Sequence, residues 1–176
     1  MRYYKGISFS VLPTSQPCPR EWKPFLDACY RYFPSLVTHE EAEGKCKATA
    51  GALLSVLNAD ESTFLLRTIF RTADSNDTWL GLRRDAQTNS WKWLDGSVYS
   101  WMNWEEPGRT GSHYRCARMR TTSGYWSAAD VNCTELRTYT CKFSELSYIL
   151  PSLLINFSLH SQERRSYDDA NSDSSN

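Results

Sequence analysis

The sequence predicts an α+β domain on three observations. Two segments in the first half carry helix caps followed by apolar residues at helical spacing. From Trp79 onward the pattern changes to short apolar runs broken by turn residues, as short strands require. Six widely spaced cysteines, Cys18, Cys29, Cys46, Cys116, Cys133 and Cys141, offer staples for a modest core.

At 176 residues the chain has the length of about one domain, and a hydrophobic content of 40% allows a core. Twenty Lys plus Arg balance twenty Asp plus Glu. Nucleic acid is therefore not the expected partner, because phosphate binding needs concentrated positive charge. An even number of cysteines at wide spacing points to disulfides and an oxidising compartment. Zinc would need closely spaced cysteine pairs, and the nearest two, Cys133 and Cys141, have seven residues between them. Spacing alone does not choose among the connectivities. No run of about 20 apolar residues predicts a membrane span. The stretch from Ile7 to Leu12 is too short and polar for a signal core. With an oxidised framework, this suits a mature fragment, a domain of a larger chain or an incomplete gene model.

Residues 1–17 read as an N-terminal lead. Cys18 and Cys29, with two prolines between them, suit a small bridged hairpin. Tyr30, Tyr32 and Val37 are strand-like, with Pro34 as an interruption. Thr38 and Glu41 have capping-box spacing, which opens a helix on which Ala42 and Cys46 share a face. His39, just after the cap, is expected on the surface. Asn58 and Glu61 repeat the spacing for a second helix, with Phe64, Leu65, Ile69 and Phe70 as its apolar stripe. A polar loop runs from Thr72 to Thr78. Asp95, Gly96 and Ser97 mark a turn, and 105–112 reads as a long loop. Arg118 and Arg120 alternate with Ala117 and Met119, a half-buried strand pattern. Tyr139 to Phe143 is the last strand. Residues 144–176 form a tail whose acidic end is expected to be disordered. Sequons place candidate glycosylation at Asn76, Asn132 and Asn156.

The Cys18–Cys29 hairpin, the E-E-A-E-G-K-C helix ending at Cys46, W-L-G-L at Trp79, E-P at Glu106, and the last three cysteines together resemble the C-type lectin-like domain over about 18–143. The resemblance implies two helices flanking small antiparallel sheets with a long ligand-binding loop region. It pairs Cys18 with Cys29, Cys46 with Cys141, and Cys116 with Cys133, the long form of the domain. It makes Trp79 core.

Sugar-binding members hold a calcium ion through five side chains. Mapped here, the E-P-N glutamate falls on Glu106 and its asparagine on Gly108. The glutamate before the strand cysteine falls on Tyr114. The W-N-D asparagine falls on Ala129 and its aspartate on Asp130. Glu106 and Asp130 alone keep carboxylates, an incomplete metal set for an ion that wants six to eight oxygens. Trp126 also stands two residues further from Cys133 than the family spacing. Glu105, Asn103 and Asn132 are conceivable substitutes. No cofactor is predicted, with calcium as the ion to test.

The remaining candidates are loop residues. Arg109, Arg115, Arg118 and Arg120, with His113 nearby, suit sulfate or carboxylate groups; their alternative is a solvated face balanced by Glu105, Glu106 and Asp130. Trp104, Tyr114 and Trp126, if exposed, form a contact patch for protein or glycan, whereas Trp79, Trp91 and Trp93 read as core. His39, His113 and His160 are scattered, and no hydrolase or phosphate-cradling motif is present, so an enzyme is not predicted. The sequence thus predicts an extracellular recognition module, secreted or on the outer face of a membrane protein. It would bind a glycan or protein ligand without the usual calcium site. The alternatives are a calcium-dependent lectin with an altered site, and a disulfide-stapled structural or interaction domain of a larger protein.

Overall fold

The computed structural model describes residues 18–73, 77–106, 113–129 and 133–144. The lead, the tail beyond Ser144, Arg109, Asp130 and all three sequon asparagines lie outside the described residues.

The chain opens with a hairpin of β1 (Lys23–Phe25) and β2 (Ala28–Val37), closed by the Cys18–Cys29 disulfide. Pro34 does not end the strand, contrary to the sequence reading. Instead β2 shifts register between Phe33 and Val37, so Pro34 sits in an irregularity where the ladder needs no N–H from it.

Thr38 then caps α1 (His39–Lys47) through a complete capping box. Its hydroxyl accepts from the Glu41 N–H at 3.3 Å, and the Glu41 carboxylate accepts from the Thr38 N–H at 2.9 Å. Such a cap stabilises a helix by about 1 kcal/mol. Ala42 and Cys46 are fully buried on the inner face, and Cys46 is bonded to Cys141. After β3 (Ala52–Leu53), Asn58 caps α2 (Ala59–Phe64), which continues as a π-helical turn over Leu65–Ile69. Here the box is modified, because the Glu61 side chain accepts from the Leu57 N–H. That carboxylate is buried and also takes bonds from Tyr30 and Lys142.

The remaining strands are β4 (Asp77–Arg84), β5 (Trp91–Trp93), β6 (Cys116–Arg120), β7 (Trp126–Ala129) and β8 (Arg137–Ser144). They form one sheet in the order β1-β2-β8-β4-β6-β7, with β3 added to β8 and β5 to β4. The sheet is mixed rather than purely antiparallel, because β4 and β8 run parallel at its centre. Cys116–Cys133 is the third disulfide, so the three pairs are those implied by the resemblance.

W-L-G-L forms the middle of β4. Trp79 is fully buried, and its indole N–H donates to the Val37 carbonyl at 2.9 Å. Gly81 is needed for close approach: a Cβ there would lie 2.2 Å from the Leu53 carbonyl oxygen. His39 is not on the surface. It is fully buried edge-on to Trp79, with Nε2 at 2.9 Å from the Leu80 carbonyl. Its position is decided by α1 packing its first turn onto β4. Burial first, with Arg83 adding, lowers its pKa to about 4.

Candidate functional site

The long loop region rests on an aromatic post. Trp126 opens β7, is fully buried, and packs edge-on against Trp93, Trp101 and Trp104 at 5.4, 5.3 and 5.8 Å between ring centres. It is therefore not the exposed contact ring considered from sequence. Its bulk goes to the core, because β7 turns this side chain under the loop. Trp104 is half-buried. It packs on Trp91, and its indole N–H donates to the Tyr99 hydroxyl at 2.8 Å.

Backbone bonds strap the loop to β7. Trp126 N–H donates to the Asn103 carbonyl at 2.8 Å, and Glu105 N–H donates to the Trp126 carbonyl at 2.9 Å. The Asn103 amide adds a bond to the Gly124 carbonyl at 2.9 Å. Arg84 fixes the other side, donating to the Tyr114 and Asn89 carbonyls while its guanidinium lies over the Trp91 ring. Burial lowers its pKa, and the guanidinium stays charged. Nothing in the sequence singled out Arg84, since it is held largely by backbone carbonyls, with the Asn89 side-chain oxygen at 3.3 Å beside them.

Between strap and sheet lies a cleft of about 200 Å³. Trp104, Glu106, Tyr114, Arg118, Arg120 and Trp126 all line it, so the structure gathers six of the eight loop candidates. Glu105 and Ser127 join them. Arg109 and Asp130 fall outside the described residues.

The arginines are paired. Arg120 Nε donates to the Glu105 carboxylate at 3.2 Å, and the Ser127 hydroxyl donates to the same carboxylate at 3.0 Å. Arg118 pairs with Asp77, a partner the sequence reading did not find. Asp77 also accepts from Arg137 at 2.9 Å, and Arg137 pairs in turn with Glu135. Asp77 and Thr78 begin β4 instead of ending a loop, and Thr78 is fully buried with its hydroxyl on the Thr138 carbonyl. Arg118 and Arg120 thus belong to a charge-balanced face.

For a metal, the described residues bring Glu106 and the neutral phenol of Tyr114 to the cleft. Gly108 and Ala129 carry no side-chain oxygen at all. Among the described residues no three His, Cys, Asp or Glu side chains cluster. Glu105, the nearest substitute, already holds Arg120 and Ser127.

The family model of the lectin C-type domain matches residues 35–143. The chain belongs to this family. A C-type lectin 1 from Hydrophis hardwickii is 31% identical over 147 residues, covering 80% of this chain and 90% of that protein. Human lithostathine has a similar structure, with a TM-score of 0.67 and 26% identity over 78% of this chain and 98% of its own. The C-type carbohydrate-recognition domain of cow CD23, determined in the presence of an oligosaccharide, gives a TM-score of 0.61 at 26% identity over 73% and 96% of the two chains.

Proposed function

We propose that this C-type lectin domain is an extracellular recognition module. It binds a glycan or protein ligand through the long-loop cleft and does so without the family's usual calcium ion. The observation that carries this reading is the donor set. Calcium affinity follows the number of charged oxygen ligands, and three of the five family positions here are Gly108, Tyr114 and Ala129. The residues present do not fit the ion, and no step is assigned to it.

Binding rather than catalysis fits the site. Among its described residues, Arg118 and Arg120 are paired with Asp77 and Glu105, and the carboxylate that the Ser127 hydroxyl meets is itself held by Arg120. Three disulfides support a secreted protein or the outer face of a membrane protein.

Isothermal titration with calcium tests the reading. The expected result is no saturable uptake. Clear uptake that disappears in Glu106→Ala or Asp130→Asn overturns it in favour of a calcium-dependent lectin with an altered site. A glycan and protein array with and without chelator then identifies the ligand class. Binding that requires calcium would count against the proposal, and no binding of either class would favour a purely structural domain.

A further inference from the structure

We propose that a second groove, where the β1–β2 turn, β3 and the end of β8 meet, docks a partner protein. It takes a segment of that partner that presents a lysine or arginine beside aliphatic side chains. The groove shares no residue with the long-loop cleft, so its occupancy is independent of what that cleft binds.

The groove encloses about 440 Å³, within the size range of ligand sites. Ala28 of β2, Ala52 of β3, Leu57 ahead of α2 and Phe143 of β8 give it apolar walls. The chain carries only small side chains from Ala50 to Ala52, which leaves the space unfilled. Leu26 and Val98 each stand next in sequence to a lining residue. They are 76% and 79% exposed, more than any other large apolar side chain among the described residues. Apolar side chains gathered about a groove mark a protein contact, where singly scattered ones do not.

Charge decides what kind of segment fits. Asp27, in the turn between β1 and β2, and Asp95, in the turn after β5, both line the groove and are both exposed. Both also act electrostatically on the buried Tyr30 phenol, as carboxylates on one side of the domain do. Lys142 alone among the lining residues is cationic, and its charge is spent inward. Its ammonium group reaches the Glu61 carboxylate at 2.7 Å and the Ser55 hydroxyl and carbonyl at 3.1 and 3.4 Å, three acceptors for three N–H groups. Asp95 accepts from the neutral Ser97 N–H at 2.9 Å. The groove thus presents apolar walls and net negative charge.

A lysine or arginine side chain answers both features, because its aliphatic stem lies on apolar surface while its charged end stays at the rim. An acidic segment would meet the carboxylates and find Lys142 already held. A second copy docking groove to groove would set the same carboxylates against each other.

The full chain should be titrated with the acetylated peptide amides Leu-Lys-Leu-Lys, Leu-Glu-Leu-Glu, Leu-Ser-Leu-Ser and Ser-Lys-Ser-Lys, with backbone amide shifts followed by NMR at low and raised salt. Expected are saturable shifts at Ala28, Ala52, Leu57 and Phe143 with Leu-Lys-Leu-Lys alone. Affinity should fall about fivefold or more in Asp27→Asn/Asp95→Asn, and should weaken at raised salt. Asparagine at position 95 keeps an acceptor for Ser97, and thermal unfolding checks the variant; if the double variant does not fold, the two single variants decide. Equal binding of the glutamate or serine peptide overturns the role of the carboxylates and with it the proposal. Equal binding of Ser-Lys-Ser-Lys overturns it by removing the apolar walls from recognition. Shifts confined to the long-loop cleft overturn it, as does an absence of shifts with every peptide, the result if another part of the chain fills the groove. Groove shifts that follow protein concentration without peptide make the surface a self-association interface and overturn it too.

Discussion

Lys142 reaches Glu61 at 2.7 Å across 81 residues of sequence, tying β8 to α2 inside the protein. The Glu61 carboxylate also accepts from the Tyr30 hydroxyl at 2.7 Å and the Leu57 N–H at 2.8 Å, while Lys142 adds the Ser55 hydroxyl at 3.1 Å. Burial, then the facing Glu61, pushes the Tyr30 phenol well above its usual range. A buried pair of this kind is costly to break from one side, because the surviving charge keeps its desolvation penalty. Glu61→Ala should destabilise the domain by about 3–5 kcal/mol. Glu61→Gln, which keeps an acceptor for Leu57, should cost less. Urea unfolding followed by tryptophan fluorescence measures both. A loss under about 1 kcal/mol in Glu61→Ala would show that the network is dispensable.

His39 makes stability depend on pH. Its native pKa is lowered from 6.5 to about 4, so the unfolded chain binds a proton where the folded one does not. Stability attributable to this group is complete above pH 6.5 and falls as pH drops toward 4, where the native ring also protonates. Integrated over that window the loss is roughly 3 kcal/mol. Unfolding midpoints between pH 7 and 4 should decline more steeply in the wild type than in His39→Gln, whose side chain keeps a donor for the Leu80 carbonyl. Parallel curves would remove His39 as the cause.

The difference between these two residues and the legible parts of the chain is one of range. Thr38 and Glu41 declare their capping box because the partners are three residues apart, and Ala42 with Cys46 declares the inner face of α1 in the same way. The cysteines and W-L-G-L carried the family, and hence the three disulfides. His39 was misread because its acceptor is the carbonyl of Leu80, 41 residues on, and helix periodicity carries no knowledge of β4. The Arg118–Asp77 pair has the same separation, so Asp77 was not among the carboxylates expected to balance the arginines. Trp126 was ambiguous because an indole suits a core and a ligand surface equally. The cleft's composition was readable, since most of its candidate residues do converge. Its charge balance was readable only in part: Glu105, expected among the balancing carboxylates, meets Arg120, whereas Asp77, which meets Arg118, was not expected.

The disulfides should differ in weight. Cys46–Cys141 closes a separation of 95 residues and Cys18–Cys29 one of 11. Restriction of the unfolded chain then predicts about 5 kcal/mol for the first and about 3 kcal/mol for the second. Cys46→Ala/Cys141→Ala also empties a fully buried position in the core. Paired alanine variants compared by thermal unfolding under oxidising conditions should rank in that order. The reverse order would mean that strain or residual structure outweighs loop closure.

Asp77 is the residue through which the edge of the cleft should be most easily disturbed. It begins β4, opposite Arg120 in register, and its carboxylate takes both Arg118 from β6 and Arg137 from β8. Three strands therefore meet at one carboxylate whose side chain is 18% exposed. Removing it leaves two guanidinium groups facing each other, and burial followed by Arg118 already lowers the Arg137 pKa. Asp77→Ala should cost about 1–3 kcal/mol, less than a fully buried pair because water reaches all three groups. Asp77→Asn should recover part of this, since an amide oxygen still accepts from one arginine. Freed from Asp77, Arg118 adds net positive charge to the cleft lining. The variant should therefore gain affinity for heparin that fades at raised salt, whereas the wild type should show little. Heparin chromatography of Asp77→Ala beside the wild type reads this directly. Equal elution of the two would mean that losing the Asp77 carboxylate does not make Arg118 available to an anionic ligand at the cleft.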